Sequence, residues 1–371
     1  MRKGSNVIVW VLASTLLVMT SLPAQAFSLP ALFVKLAASK TLANPGIIII
    51  DPATNTTIYS MGPDVGRAPA SVLKLFSMVT VLNALSPELV FNTSLHETAD
   101  PKTFILVGSG DPWITASNFE EVKYQRAFSP RLIDQLMKVH PGLRTITLDY
   151  SNVYATDVQA LKRYFAGRLT INAVKVNSAA AAATTEIASI KSPPLSKIIE
   201  FTLLYSDNVL ADRLSRLAAH TMGFTNDVIG LRAAFAKTLT ELGISTTGLH
   251  LYDGNGLSHQ NRVTVRQIAE LLRAIRSNPK YAVIYAGLPT AGETGTLKDR
   301  FINDAPNAVG LIHAKSGWID NTVSLAGFVT VGPNEYVFAI VANHIHNLES
   351  ARQAARVTID QMLGTIAQPL K

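Results

Sequence analysis

Arg67-Ala68-Pro69-Ala70-Ser71-Val72-Leu73-Lys74-Leu75 sets a serine and a lysine three residues apart at the head of an apolar run. Leu75, Val79 and Leu82 recur at the spacing of one helix face, which predicts a helix from Ser71 to about Leu85. Pro69 lies just upstream, where it helps define the start. The i to i+3 spacing puts Ser71 and Lys74 on a common face, with Cβ atoms about 5–6 Å apart. A neutral lysine at that distance can take the hydroxyl proton, and burial or a neighbouring positive charge favours the neutral state. The helix N-terminus favours negative charge developing on the serine oxygen. Alone, however, such a pair is ordinarily two solvated helix residues, so chemistry requires partners from elsewhere in the chain.

Upstream, Gly46-Ile47-Ile48-Ile49-Ile50-Asp51 is short and β-branched and reads as a buried strand, with a turn at 52–55 and a return strand from Thr56 to Ser60. At the other end, Val323–Val331 and Tyr336–Asn343 are apolar runs joined by Gly332-Pro333-Asn334-Glu335, a hairpin signal, and an amphipathic helix follows over about Glu349–Met362. Between these ends lie helical patterns at Leu195–Tyr205, Asn208–Met222, Leu231–Leu242 and Val265–Arg276. From about 91 to 190 the character changes. Strand-like pieces at Phe104–Val107 and Thr145–Leu148, one helix near Arg131–Val139 and the run Ala179–Ala183 suggest an inserted subdomain. Strands at both ends with helices between them predict an α+β domain whose sheet is completed by distant parts of the chain.

Composition narrows the function. The 371 residues are 48% hydrophobic and only 16% charged, which excludes a disordered, collagen-like or coiled-coil protein. Cysteine is absent, so disulfides, thiolate metal sites and a cysteine nucleophile are excluded. The net charge of +7 comes from scattered basic residues and argues against nucleic acid as a partner. Arg2 and Lys3, an apolar run from Val7 to about Leu22, and Pro23-Ala24-Gln25-Ala26 form a signal-peptide pattern over 1–26, with cleavage after Ala26. An uncleaved membrane anchor is the other reading, disfavoured by Ser14, Thr15, Thr20 and Ser21 within a short run. The chain is thus expected to be exported to the periplasm or another extracytoplasmic wall space.

Two further segments join the first. Ser206-Asp207-Asn208 separates two helices and reads either as an ordinary N-cap or as a hydroxyl and an amide presented to a substrate. Lys315-Ser316-Gly317 precedes the terminal strands. It reads either as a strand end with a solvated lysine, or as a carboxylate-binding pair followed by a glycine that leaves room for a peptide along the strand edge. Their order matches the three motifs of serine β-lactamases and penicillin-binding proteins.

The chain resembles the class C low-molecular-mass penicillin-binding proteins, D-alanyl-D-alanine carboxypeptidases/endopeptidases of the bacterial cell wall. Beyond the three motifs, Gly108-Ser109-Gly110-Asp111-Pro112, Asp253-Gly254-Asn255-Gly256-Leu257-Ser258, and Gly292-Glu293-Thr294-Gly295-Thr296-Leu297 with Arg300-Phe301 are similar to that family's signatures. The resemblance implies a transpeptidase-like α+β fold, an antiparallel sheet flanked by helices, made of 27–90 and 191–371 with 91–190 inserted. It implies Ser71 as nucleophile, Lys74 as general base and Ser206 as proton relay to the leaving amine. Asn208 would place the substrate, and Lys315 and Ser316 would hold its terminal carboxylate beside Gly317. The backbone N–H groups of Ser71 and Trp318 would form the oxyanion hole. Peptidoglycan D-Ala-D-Ala peptides would be the substrate and β-lactams covalent inhibitors, with neither cofactor nor metal.

Two departures stand out. Serine replaces the usual threonine in Lys315-Ser316-Gly317, which keeps the hydroxyl. The interval from Ser71 to Ser206 is too short for the nested pair of insertions of larger members, so one insertion is inferred. A serine β-lactamase shares this machinery, but no glutamate between Ser206 and Lys315 has the Glu-x-x-x-Asn context that holds a deacylating water. A non-catalytic wall-binding protein on the same scaffold is the third alternative. His344-Ile345-His346 lacks a third ligand, and Asp253-Gly254-Asn255-Gly256 has Thr264 where a calcium loop needs glutamate, so both read as structural.

Overall fold

The computed structural model describes residues 29–177 and 185–369. The expected signal peptide, 1–26, and the run Ala179–Ala183 lie outside the described residues. No helix among those described is long and apolar enough to cross a membrane.

Twelve strands occur among the described residues: β1 (Asn44–Asp51), β2 (Thr56–Met61), β3 (Asn92–Glu97), β4 (Thr103–Gly108), β5 (Ile114–Thr115), β6 (Ala127–Phe128), β7 (Thr145–Ser151), β8 (Thr170–Lys175), β9 (Glu186–Lys191), β10 (Ile312–Ile319), β11 (Thr322–Val331) and β12 (Asn334–Asn343). The main sheet has the order β10-β11-β12-β1-β2 and is antiparallel throughout. Its first strand therefore pairs with its last, Ile47 opposite Ile340 and Ile49 opposite Phe338.

The isoleucine run is buried on both faces because the sheet is covered on both. Ile48 and Ile50 enter the core beneath the helices Lys74–Ala84, Asn208–Thr221, Val228–Glu241 and Val265–Ser277. Ile47 and Ile49 enter a second core against the helix Glu349–Gly364 and Phe33. Burying each of these side chains is worth roughly 1.5–3 kcal/mol, enough to commit the strand to the centre of the sheet. The β11–β12 turn is tighter than the sequence suggests. Asn334 and Glu335 already pair with Val331 and Thr330, leaving Gly332-Pro333 as a two-residue loop in which Gly332 takes the left-handed conformation such hairpins require.

The helix after the nucleophile segment also starts later than its apolar pattern indicates. Ala70–Leu73 is a 3₁₀ turn and the α-helix begins at Lys74. A buried Ala70 with φ +50° separates Pro69 from Ser71, a conformation costing about 1–2 kcal/mol for a residue with a Cβ.

Residues 92–191 build a second sheet, β8-β7-β4-β3-β9, with its own core around Leu95, Leu106, Leu136 and Leu148. It is mixed: β4, β7 and β8 run parallel. Parallel neighbours need crossovers, supplied here by the helices Pro130–Val139 and Ala155–Tyr164, of which the sequence pattern indicates only the first. Arg213, on the helix Asn208–Thr221, ties this unit to the main body by donating to both carboxylate oxygens of Asp157 at 2.9 and 2.8 Å.

Candidate active site

The 3₁₀ turn brings i and i+3 side chains into near-eclipse, and Lys74 Nζ donates to Ser71 Oγ at 2.8 Å. The ammonium also donates to Asn208 Oδ1 at 2.7 Å and to the Asn255 carbonyl at 2.8 Å. Lys74 is wholly buried, and this burial lowers its pKa to about 7 against the opposing pull of Asp207 and Asp253. At neutral pH an appreciable fraction is therefore neutral, and in that state the 2.8 Å contact can run the other way, with the Ser71 hydroxyl donating to the amine. Desolvation is the largest influence on Lys74, and the acidic groups Asp207 and Asp253 oppose it.

The Ser206-Asp207-Asn208 segment meets its N-cap reading, and it also brings Ser206 to the cleft. Asp207 caps the helix by accepting from Leu210 N at 2.9 Å. Ser206, at φ +58°, turns into the cleft that also holds Ser71. Asn208 is held by Lys74, whose Nζ donates to its amide oxygen.

Lys315 and Gly317 differ from expectation. Lys315 is fully buried, donates from Nζ to the Ser316 carbonyl at 2.8 Å, and is absent from the cleft wall. Burial, helped by the charge of Lys74, pushes its pKa well down. A solvated lysine is excluded. The reason is strand alternation: odd residues of β10 face the helical core, even residues the other side. Gly317 makes room for the nucleophile segment more than for a substrate. A Cβ there would lie 2.2 Å from Ser324 Oγ and 2.8 Å from the Pro69 carbonyl. Ser324 Oγ donates to that same carbonyl at 2.6 Å, and Asn343 brackets Ala68, accepting from its N–H at 2.8 Å and donating to its carbonyl at 3.1 Å. The nucleophile segment is thus fastened to β11 and β12 by hydrogen bonds.

Ser316 and Trp318 lie on the wall of the cleft, which encloses about 630 Å³ and is bounded by Ser71, Ser206 and Gly317. Ser316 Oγ is 2.7 Å from Thr296 Oγ1. Four contributors escape sequence reasoning as site residues: Asn255 through its carbonyl, Thr296, and Arg352 and Arg356 on the last helix. The Asp253-Gly254-Asn255-Gly256 block signals a turn. Asp253 indeed accepts from Gly256 N at 2.7 Å, Ser258 N at 2.6 Å and Asn261 Nδ2 at 2.9 Å. Nothing in the sequence says that this turn delivers a carbonyl to Lys74.

A hydroxyl activated by a buried amine and set beside further hydroxyls in an open cleft is equipped for acyl transfer. The chain is 26% identical to carboxypeptidase DacB of Mycolicibacterium smegmatis over 386 aligned residues, covering 89% of this chain and 83% of that protein. It is 34% identical over 163 residues to a D-alanyl-D-alanine carboxypeptidase of an Actinomadura species, covering 42% of this chain and 30% of that protein. Among solved structures, penicillin binding protein 4 (dacB) of Haemophilus influenzae shares the fold with TM-score 0.71 and 19% identity, covering 89% of this chain and 98% of that one. The sequence pattern of the D-Ala-D-Ala carboxypeptidase 3 (S13) family matches residues 34–138 and 146–366. The chain therefore belongs to that family, among the serine D-Ala-D-Ala carboxypeptidases of the low-molecular-mass class C penicillin-binding type.

Proposed function

We propose that this chain cleaves the terminal D-Ala-D-Ala bond of peptidoglycan stem peptides, or D-Ala cross-links, through an acyl-enzyme on Ser71. Lys74 takes the Ser71 proton as the hydroxyl attacks the carbonyl carbon. The backbone N–H groups of Ser71 and Trp318 receive the oxyanion. Ser206 passes the proton to the leaving amine, whose departure breaks the peptide bond, and water then releases the acyl group. Asn208 orients Lys74 in the free protein and the substrate amide once it is bound. Ser316, braced by Thr296, receives the terminal carboxylate. Lys315 acts from beneath the strand, through the Ser316 backbone. Residues 91–190 form the inserted subdomain, a division supported by their separate sheet and core. The work would be done outside the cytoplasm, where the substrate lies, after removal of residues 1–26.

The observation that carries this reading is the 2.8 Å contact between Ser71 Oγ and a buried lysine whose pKa is about 7. Digestion of purified cross-linked muropeptides, with products resolved by mass, tests it. The wild-type chain should release D-alanine or split cross-links, and Ser71→Ala should lose about 10³-fold or more. A Ser71→Ala chain as active as the parent would discard the nucleophile, and an inert parent would favour a wall-binding role. β-Lactams should acylate Ser71 and stay attached, because no glutamate between Ser206 and Lys315 has the Glu-x-x-x-Asn context that holds a deacylating water. Rapid loss of the adduct in intact-mass spectra would instead indicate a β-lactamase.

A further inference from the structure

Arg352 and Arg356, one turn apart on the helix Glu349–Gly364, both face the cleft. Both guanidinium groups stack on the ring of Trp318, at 5.1 and 5.2 Å from its centroid. The third arginine on this wall, Arg300, is committed to Asp360 in a buried ion pair. Neither Arg352 nor Arg356 has an ion pair among the described residues, and Glu349 makes none with them. Arg352 donates from Nη1 to the Asp320 carbonyl at 2.8 Å and to Asn347 Oδ1 at 2.6 Å, while its buried Nε has no partner. Arg356 is half-buried; desolvation and the charge of Arg300 lower its pKa, while Asp360, already paired with Arg300, holds it up in part. Cations gathered on one ring at a partly desolvated wall repel one another, and a bound anion relieves that repulsion.

Strand alternation says which anion. Ile312 and Ala314 of β10 pack in the same core as the last helix, so Ser316 and Trp318, which continue that even series, face the helix as well. A carboxylate accepting from Ser316 Oγ would lie on the arginine side of the strand. Lys315 lies on the other side, under cover.

We propose that Arg356, flanked by Arg352, is the cationic partner of the carboxylate on the leaving D-amino acid, the part that the motif gives to Lys315. This rests on the peptidase reading above. A guanidinium meets a carboxylate with two parallel N–H donors, and stacking on Trp318 holds that fork in place before substrate arrives.

The test compares kcat/KM for an acyl-D-Ala-D-Ala peptide with its C-terminal amide, using the mature chain. The wild type should favour the free acid about 10- to 100-fold, the usual worth of a charge-assisted contact. Arg356→Gln should lose most of that preference, mainly through KM for the acid, and Arg356→Lys should regain part of it. A melting curve matching wild type separates this from misfolding. If Arg356→Gln fails to fold, the same acid-to-amide ratio is read on Arg356→Lys, where an intermediate value is expected and an undiminished one overturns the proposal. A wild type indifferent to amidation, or an Arg356→Gln chain with its preference intact, overturns it too. A wild type that cleaves neither peptide overturns the peptidase reading and the proposal with it.

Discussion

Lys74 sits between opposed influences. Burial pulls its pKa down to about 7, while Asp207 and Asp253 pull it up. Because the neutral amine is the reactive form, the acylation rate should rise about tenfold per pH unit below 7 and level off above about pH 8. Stopped-flow acylation by a β-lactam across pH 5–9 would show that limb. Asp207→Asn keeps a side chain able to cap the helix but removes one of the two carboxylates that raise Lys74. Its limb should therefore move toward lower pH, and an unmoved limb would mean that Asp207 has no electrostatic hold on the base.

Among the elements, the 3₁₀ turn at Ala70–Leu73 packs closely on two glycines, Gly317 of the edge strand β10 and Gly256 of the 253–258 block. Gly317 admits Pro69 and Ser324, and Gly256, at φ +89°, would place a Cβ 2.0 Å from the Ala70 carbonyl. Alanine at Gly317 must push the turn away from β10, and alanine at Gly256 would press on the same turn from the 253–258 block. Gly317→Ala should cost about 1–3 kcal/mol of stability and slow acylation by more than tenfold. Thermal melting and the acylation rate constant, measured on the same preparation, check both parts. Normal acylation would show that the turn does not need the sheet to hold its geometry.

For the molecule as a whole, the joint between the second sheet and the main body combines aromatic contacts such as Trp113 on Phe201 with one largely buried ion pair. Arg213 and Asp157 are only 12% and 15% exposed, and Arg213 also stacks on Tyr154 at 4.0 Å. Asp111, in the Gly-Ser-Gly-Asp-Pro segment beside this joint, is buried and its pKa is pushed up to about 6 by desolvation. Removing one partner of a buried pair leaves an uncompensated charge, so Arg213→Met should destabilise by about 3–5 kcal/mol. Calorimetry should show a lowered transition, and restoring neutrality with Arg213→Met/Asp157→Leu should recover much of it. A single variant that melts like wild type would mean the joint is held elsewhere.

Much was legible in the chain because it depends on residue type and local spacing. Four successive isoleucines read as a buried strand, the Leu75–Val79–Leu82 period is helical, and the serine three residues before a lysine gains meaning only with the two later motifs. The polar strands β3, β8 and β9 and the helix Ala155–Tyr164 were not legible, since their alternation is too weak to separate from loop. Desolvation and facing direction were settled only by folding, because both are properties of what surrounds a side chain rather than of the side chain itself. Packing took Lys315 out of water, lowered the pKa of Lys74 by burial, and carried two arginines from the last helix to the cleft that holds Ser71.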